Sequence, residues 1–273
     1  MRLIQAPMAS NQPSSLAAAV SNAGALGMVP GTSLSPDAFR EAIREVRALT
    51  DKPFGVNLFG PPYLNADNLQ VVLDERPAVF SVHIGTVDPE PFHEAGIEVL
   101  ATATTAEEAD YLREAGVDAV VAQGAEAGGH RGSFLDGFPL VPLAELVPAI
   151  SGVPVIASGG IVTRDDVRAA LELGAVGVQV GTAFLFTHEC DRPREHLEAL
   201  RTYDTVVTEA YTGRPMRAAL DPVLHELIDG PPPLPFPQQR KVSAELGPVF
   251  MGGTGAKRCR ECSVAELVTE LCA

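Results

Sequence analysis

Residues 153–182 read VPVIASGGIVTRDDVRAALELGAVGVQVGT, and this stretch holds the repeating unit of the fold. Val153–Ser158 is too uniformly apolar for a sheet with one wet face, so it reads as a buried parallel strand. Thr163-Arg-Asp-Asp reads as a helix start, a capping hydroxyl followed by acids in the first turn. Gly174 stands where that helix should end. A second apolar run, Val176–Val180, follows it and closes on Gly181-Thr182. Strand, glycine-containing turn, helix, glycine and strand is the grammar of a βα unit.

The same grammar extends toward the N-terminus. Apolar runs recur at Leu3–Ala6, Ala25–Val29, Phe54–Leu58, Ala78–Val82, Ile97–Ala101 and Ala119–Gln123. Helical patterns lie between them, among them Leu16–Ala23, Pro36–Leu49 and Ala106–Ala115. The last starts at Thr105-Ala-Glu-Glu and places Ala109, Leu112 and Ala115 on one face. Gly96 and Gly116 stand at further helix ends. Eight strands and about eight helices by Leu200 predict a (β/α)8 TIM barrel, class α/β. A doubly wound sheet would have fewer units and a Gly-rich turn after its first strand. Here that strand ends in Ala6-Pro7-Met8-Ala9, and no G-x-G-x-x-G is present. Beyond Tyr203 the pattern weakens. Pro231–Pro237 predicts an extended surface strap and Val264–Leu271 a last helix. The expected organisation is a barrel over 1–202, with 203–273 as a C-terminal irregular and helical extension packed on it and not independent.

Composition agrees with a large buried core. Of 273 residues 46% are hydrophobic and 20% charged, too apolar for bulk disorder. The 35 acidic against 20 basic side chains give a net charge of −15, which argues against a nucleic-acid partner but leaves a local basic anion pocket open. No apolar run is long enough for a membrane span, and Met1-Arg2 leads straight into Leu3 without a signal-peptide pattern. The expectation is a soluble, cytoplasmic protein with no membrane association. Cys190, Cys259, Cys262 and Cys272 all fall in the last third, which cannot staple a domain. Cys259-Arg-Glu-Cys262 has the gap of a zinc or redox pair but lacks a second pair of ligands, so no metal site is assigned.

In such a barrel the chemistry sits at the C-terminal ends of the strands. Ile156-Ala-Ser-Gly159-Gly160-Ile161 and Gln179-Val-Gly181-Thr182-Ala183 follow the last two strands, where a phosphate site recurs; the alternative is a pair of plain tight turns. The longest connection, Gln123-Gly-Ala-Glu126-Ala-Gly128-Gly129-His130-Arg131-Gly132, follows the sixth strand, and helical character resumes around Pro142. His130, after paired glycines, is expected on neither a helix face nor a strand interior. There it could reach the mouth and titrate near neutrality as a general base, or serve as a hydrogen-bonded structural histidine. His83 is the other histidine near the pocket, while His93, His188, His196 and His225 fall on presumed helices. Asn57, Gln123 and Gln179 close strands three, six and eight with neutral amides suited to a heteroaromatic ring, or to loop backbone. No H-E-x-x-H, G-x-S-x-G or Walker sequence occurs.

Gln5-Ala-Pro-Met8-Ala, Gly-Val-Asn57-Leu-Phe, the Gln123–Gly132 stretch, Ala-Ser-Gly-Gly-Ile and Gln-Val-Gly-Thr-Ala-Phe together resemble the nitronate monooxygenases, formerly called 2-nitropropane dioxygenases. Ala-Glu-Ala-Gly-Gly-His-Arg-Gly is the most specific piece, and the resemblance covers about residues 3 to 190. It implies an FMN-containing barrel that oxidises alkyl nitronates with dioxygen to a carbonyl compound and nitrite. It places Ala6, Pro7, Met8 and Asn57 against the flavin ring. Ala127, Gly128, Gly129 and His130 lie at the border of flavin and substrate, Gln123 counts among the cofactor-binding residues, and Ser158, Gly159, Gly160, Gln179, Gly181 and Thr182 hold the phosphate. His130 takes the place of the family's base toward neutral nitroalkanes, or steadies the anion of a nitronate. Two departures stand out. The segment between Phe59 and Ala78 is shorter than in most relatives, and Thr212–Ala219 and Met251–Lys257 match only loosely. Two other readings share these residues. One is an NAD(P)H-dependent FMN reductase of enoyl thioesters on acyl-carrier protein or of quinones. The other is a flavin-binding scaffold without turnover.

Overall fold

The computed structural model describes residues 2–9, 12–135 and 137–273; Met1, Ser10, Asn11 and Asp136 lie outside the described residues. Eight parallel strands form the barrel: β1 (Arg2–Gln5), β2 (Gly27–Pro30), β3 (Phe54–Phe59), β4 (Val79–His83), β5 (Glu98–Ala103), β6 (Ala119–Gln123), β8 (Val155–Ser158) and β9 (Gly177–Val180). They pair in the order β1-β9-β8-β6-β5-β4-β3-β2. A parallel bridge between Ile4 and Leu26 joins β1 to the start of β2 and closes the ring. Every run expected as a strand is one, with ends shifted by at most two residues.

Closure explains the uniform apolarity of the strands. One face of each strand packs inside the barrel, where Ile4, Met28, Val79, Leu100, Ala119, Val121 and Ile156 form a core of their own. The other face meets the helices in a larger core that includes Leu3, Val56, Phe80, Val120, Val178 and Val180. The helix signals act as read. The hydroxyls of Thr105 and Thr163 accept from the N–H groups of Glu108 and Asp166, and Thr163–Asp166 is a full capping box. Gly96, Gly116 and Gly174 follow helices with φ of +76°, +89° and +107°.

The remaining strands depart from the reading. β10 (Thr205–Thr208) and β11 (Met216–Ala219) form an antiparallel sheet with β7 (Gly129–His130), in the order β10-β11-β7. The tail therefore supplies strands as well as the expected helix, Val264–Cys272. His130, expected on neither a helix face nor a strand interior, is the last residue of the two-residue β7, opposite Met216. Its partner comes from far along the chain, so no local periodicity could reveal it. His188 lies in a turn after the short helix Thr182–Leu185, not on a helix. Pro231–Pro237 is exposed and irregular, except that Phe236 is half-buried. Among the described residues no helix is long and apolar enough to cross a membrane.

Candidate active site

The ends of β1, β8 and β9 meet on one side of the mouth. A Cβ on Gly181 would stand 3.2 Å from the Cβ of Ala6 and 3.9 Å from Sδ of Met8. Gly160 has φ +70°, and a Cβ there would stand 3.1 Å from the Cβ of Glu126 and 3.4 Å from Oγ1 of Thr254. Gly159 approaches the backbone N of Ala127 equally closely. The N–H groups of Gly159, Gly160, Gly181 and Thr182 donate to no protein group among the described residues. Free main-chain donors on glycine turns are what a phosphate monoester needs, and the Arg258 guanidinium stands beside them, donating to the Gly160 carbonyl at 3.0 Å and paired with Asp166. These residues fit an FMN phosphate.

The amides divide. Asn57 is buried and donates through Nδ2 to the Ser81 carbonyl at 3.0 Å, while Oδ1 has no hydrogen-bond partner among the described residues. Gln179 makes no side-chain hydrogen bond to a described residue and is half-exposed to the mouth. Gln123 is engaged at both ends, donating to the His130 carbonyl at 3.0 Å and accepting from the Gly132 N–H at 2.8 Å. Gln5, fully buried, accepts from the Met28 N–H, and its amide pairs with that of Gln12, which in turn accepts from the Met8 N–H. Gln5 and Gln12 thus set the backbone on which Ala6, Pro7 and Met8 sit.

On the opposite side stand two histidines. His83 Nε2 lies 3.2 Å from the His130 carbonyl, and its Nδ1 lies 3.1 Å from Oγ1 of Thr102. Facing a carbonyl, Nε2 must donate, so Nδ1 accepts from the threonine and the ring is neutral. His130 Nε2 lies 3.2 Å from Oγ1 of Thr212, and its ring meets the edges of Phe59 and Phe236 at 6.2 and 5.4 Å. Burial, with help from His83, Arg214 and Arg240, pushes His130 down to about 3. Burial likewise pushes His83 down to about 4, and Arg214 and Arg131 add to the shift. This corrects the expectation that His130 titrates near neutrality. The cause is the tail, which covers the imidazole and brings arginines to it. Beside His83, Ile84 holds φ +64° while fully buried, a strained conformation for a β-branched residue.

Three arginines fasten the loop that carries His130. Arg131 is wholly buried and donates to the carbonyls of Gly124 and Gln123 at 2.6 and 2.9 Å. Arg214 donates to the carbonyls of Arg131 and Ser133, and Arg217 donates twice to that of Ala125. Glu108, also buried, accepts from the N–H groups of Phe134 and Leu135 and from Thr104. Burial lowers the pKa of all three arginines, Arg131 to about 10. The mouth is thus locally positive in a protein of net charge −15.

The structure brings Ala6, Pro7, Met8, Ala127, Gly128, Gly129, Ser158, Gly159, Gly160, Gln179, Gly181 and Thr182 to one face, with Asn57, Gln123 and His130 around the same mouth. Sequence reasoning missed the contribution of the tail. Gly253 N–H donates to Oγ1 of Thr182 at 2.9 Å, Thr254 N–H donates to the Glu126 carbonyl, and Gly128 packs on the Gly252–Gly253 backbone. The glycines of Met251–Lys257 were the signal, since only bare backbone packs that closely. Cys259 and Cys262 stand apart from this face. Both are free thiols, Cys262 in the core and Cys259 pushed up to about 12 by burial.

A closed (β/α)8 barrel with an anion cradle and a positive, histidine-bearing mouth at the strand ends is the catalytic face of a barrel enzyme. The family described as nitronate monooxygenase matches residues 1–68 and 63–273, the two matches meeting within the β3–β4 connection. A nitronate monooxygenase of Pseudomonas aeruginosa is 36% identical over 98% of this chain and 94% of its own length. A probable nitronate monooxygenase of Bacillus subtilis is 33% identical over 99% and 94%. Among solved structures, nitroalkane oxidase from Streptomyces ansochromogenes superposes with a TM-score of 0.91 at 33% identity, covering 99% of this chain and 94% of that one. FabK from Thermotoga maritima superposes at 0.84 and 30%, covering 99% and 91%. The chain belongs to the nitronate monooxygenase family and is a flavin-dependent oxidoreductase.

Proposed function

We propose that the protein holds FMN and oxidises alkyl nitronates with dioxygen, yielding a carbonyl compound and nitrite. The observation that carries this reading is the neutral imidazole of His130 in a positive field, caged by Phe59 and Phe236. A small anion is favoured there without a fixed counter-charge in contact. When bound, FMN would carry electrons from nitronate to dioxygen. Ser158, Gly159, Gly160, Gln179, Gly181 and Thr182 hold its phosphate end. Ala6, Pro7, Met8 and Asn57 support the ring, with Gln123, Ala127, Gly128 and Gly129 bordering it. His130 is the catalytic residue, accepting the α-proton when the substrate arrives as a neutral nitroalkane. Its low pKa makes it a weak base, so preformed nitronate is the better substrate. No metal and no nucleic acid enter this reading. The proposed location is the cytoplasm, in keeping with cysteines that all fall in the last third of the chain, where they cannot staple the domain.

The likeness to FabK raises the reading of an NAD(P)H-dependent reductase of enoyl thioesters or quinones. Such an enzyme needs donors for the nucleotide's phosphates. Arg214 and Arg217 are occupied by loop carbonyls, and Lys257 is paired with Asp204. The test is anaerobic reduction of the bound flavin by propyl nitronate, NADH and NADPH separately. Bleaching by nitronate, with slow or no response to either nucleotide, is the expected result. Rapid bleaching by a nucleotide and none by nitronate would move the protein to the reductases.

A further inference from the structure

We infer that Thr212 decides which nitrogen of His130 is the base: it keeps the proton on Nε2 and leaves Nδ1 for the substrate. This rests on the proposed role of His130 and adds a positioning residue to it. Thr212 is fully buried, and its hydroxyl donates to the Arg214 carbonyl at 2.9 Å. A hydroxyl has one proton, and a carbonyl can only accept. With that proton committed, Oγ1 can meet His130 Nε2 at 3.2 Å only as an acceptor, so Nε2 carries hydrogen. Among the described residues Nδ1 has no hydrogen-bond partner.

The surroundings hold this polarity in place. Gly213, between Thr212 and Arg214, has φ +80°, and a Cβ there would collide with the Leu234 carbonyl. Its N–H donates to the Glu209 carbonyl at 2.8 Å. Arg214 is tied to the carbonyls of Arg131 and Ser133. The ionisable groups around the imidazole are His83, Arg214 and Arg240, and His83 touches His130 only through the main-chain carbonyl. In the other tautomer the threonine hydroxyl would turn to Nε2, leaving two oxygen acceptors facing each other 2.9 Å apart. Losing one buried hydrogen bond this way disfavours it by roughly 10- to 100-fold.

The consequence is chemical. His130 offers the substrate a lone pair and no donor. It can take the α-proton of a neutral nitroalkane onto Nδ1, the C–H electron pair staying on the substrate as the nitronate. The imidazolium so formed keeps its Nε2–H bond to Thr212 and returns the added proton to water before the next turnover. Toward a preformed nitronate the neutral ring makes no hydrogen bond, and the arginine field alone favours the anion.

Long-range 1H–15N correlation spectra of the FMN-loaded protein, labelled at histidine, read the tautomer directly. His130 should show a pyridine-like Nδ1 and a pyrrole-like Nε2. Thr212→Val should move both signals toward each other and lower kcat/KM for neutral nitroethane about 10- to 100-fold. Turnover of preformed ethyl nitronate should stay within about twofold, and Thr212→Ser should restore both readouts. A protonated Nδ1 in the wild type, or spectra and nitroethane turnover unmoved by Thr212→Val, overturns the inference. If neither substrate is turned over yet the spectra respond as described, the hold of Thr212 on the tautomer stands and the proposed function fails.

Discussion

Acid should unfold this protein through two histidines, and His130→Asn should remove half of the effect. His130 lies at about 3 and His83 at about 4 in the fold, against an ordinary value of 6.5. Above pH 6.5 both are neutral folded or unfolded and contribute nothing to the pH dependence. As the pH falls below 6.5 the unfolded chain binds two protons that the folded chain refuses, so stability drops with pH. The slope is about 1.4 kcal/mol per pH unit for each histidine, and it persists for His83 down to about pH 4 and for His130 to about pH 3. Between pH 6.5 and 4.5 the pair therefore costs about 5 kcal/mol, a large part of the roughly 5–15 kcal/mol of a typical domain. His130→Asn keeps a polar group and loses the titration, so its loss over the same interval should be about 2.7 kcal/mol smaller. Urea unfolding of both FMN-loaded proteins at pH 7.0, 5.5 and 4.5 measures the difference, in which the carboxylates common to both cancel. Equal losses in the two proteins would show that His130 is protonated as freely in the fold as outside it, and would refute the assignment of a buried neutral imidazole.

The purified protein should be yellow and release FMN rather than FAD on denaturation. Gly160→Asp, which sets a carboxylate beside the proposed phosphate on a backbone already at φ +70°, should weaken FMN binding by at least 100-fold on a charge-repulsion argument; unchanged fluorescence titrations of the apoprotein would remove the cradle from the proposal. His130→Asn should retain FMN and lose turnover of neutral nitroalkane by about 100-fold, the low end for a base of so low a pKa. Preformed nitronate should suffer less, and equal small losses on the two substrates would leave His130 a structural residue.

The barrel was legible because each of its units is local. A strand of four to six residues, a capping threonine and a terminal glycine declare themselves within a short window, as Val178, Thr163 and Gly174 do. The place of the glycine turns was legible for the same reason, since glycines directly after β8 and β9 need only the fold to bring them to the mouth. The environment of His130 was not. Thr212, Arg214, Arg240 and Phe236 belong to the tail, and they act on the imidazole over a long sequence separation, Thr212 by a hydrogen bond, Phe236 by a ring contact and the two arginines through their charge. Glu108 illustrates the same limit. It reads as one of the acids of a helix first turn, which it is, yet its carboxylate also ties down Phe134 and Leu135.

The β3–β4 connection takes no part in the glycine-lined cradle. The cradle is made by the ends of β1, β8 and β9, by Ala127–Gly129 and by Gly253–Thr254. None of these lies between Phe59 and Ala78. That connection instead contributes Tyr63, whose ring meets Phe236 at 4.8 Å and faces the Arg214 guanidinium at 5.9 Å, beside the histidines. The two pieces of the family match meet at residues 63–68, at this place. The connection therefore belongs to the wall around His130 and not to the glycine turns after β8 and β9. Phe236, carried in by the proline-rich strap, meets the edge of His130 and the ring of Tyr63, so the strap and this connection close on the same imidazole. The strap and the connection thus meet in one wall beside His130, away from the glycine turns after β8 and β9.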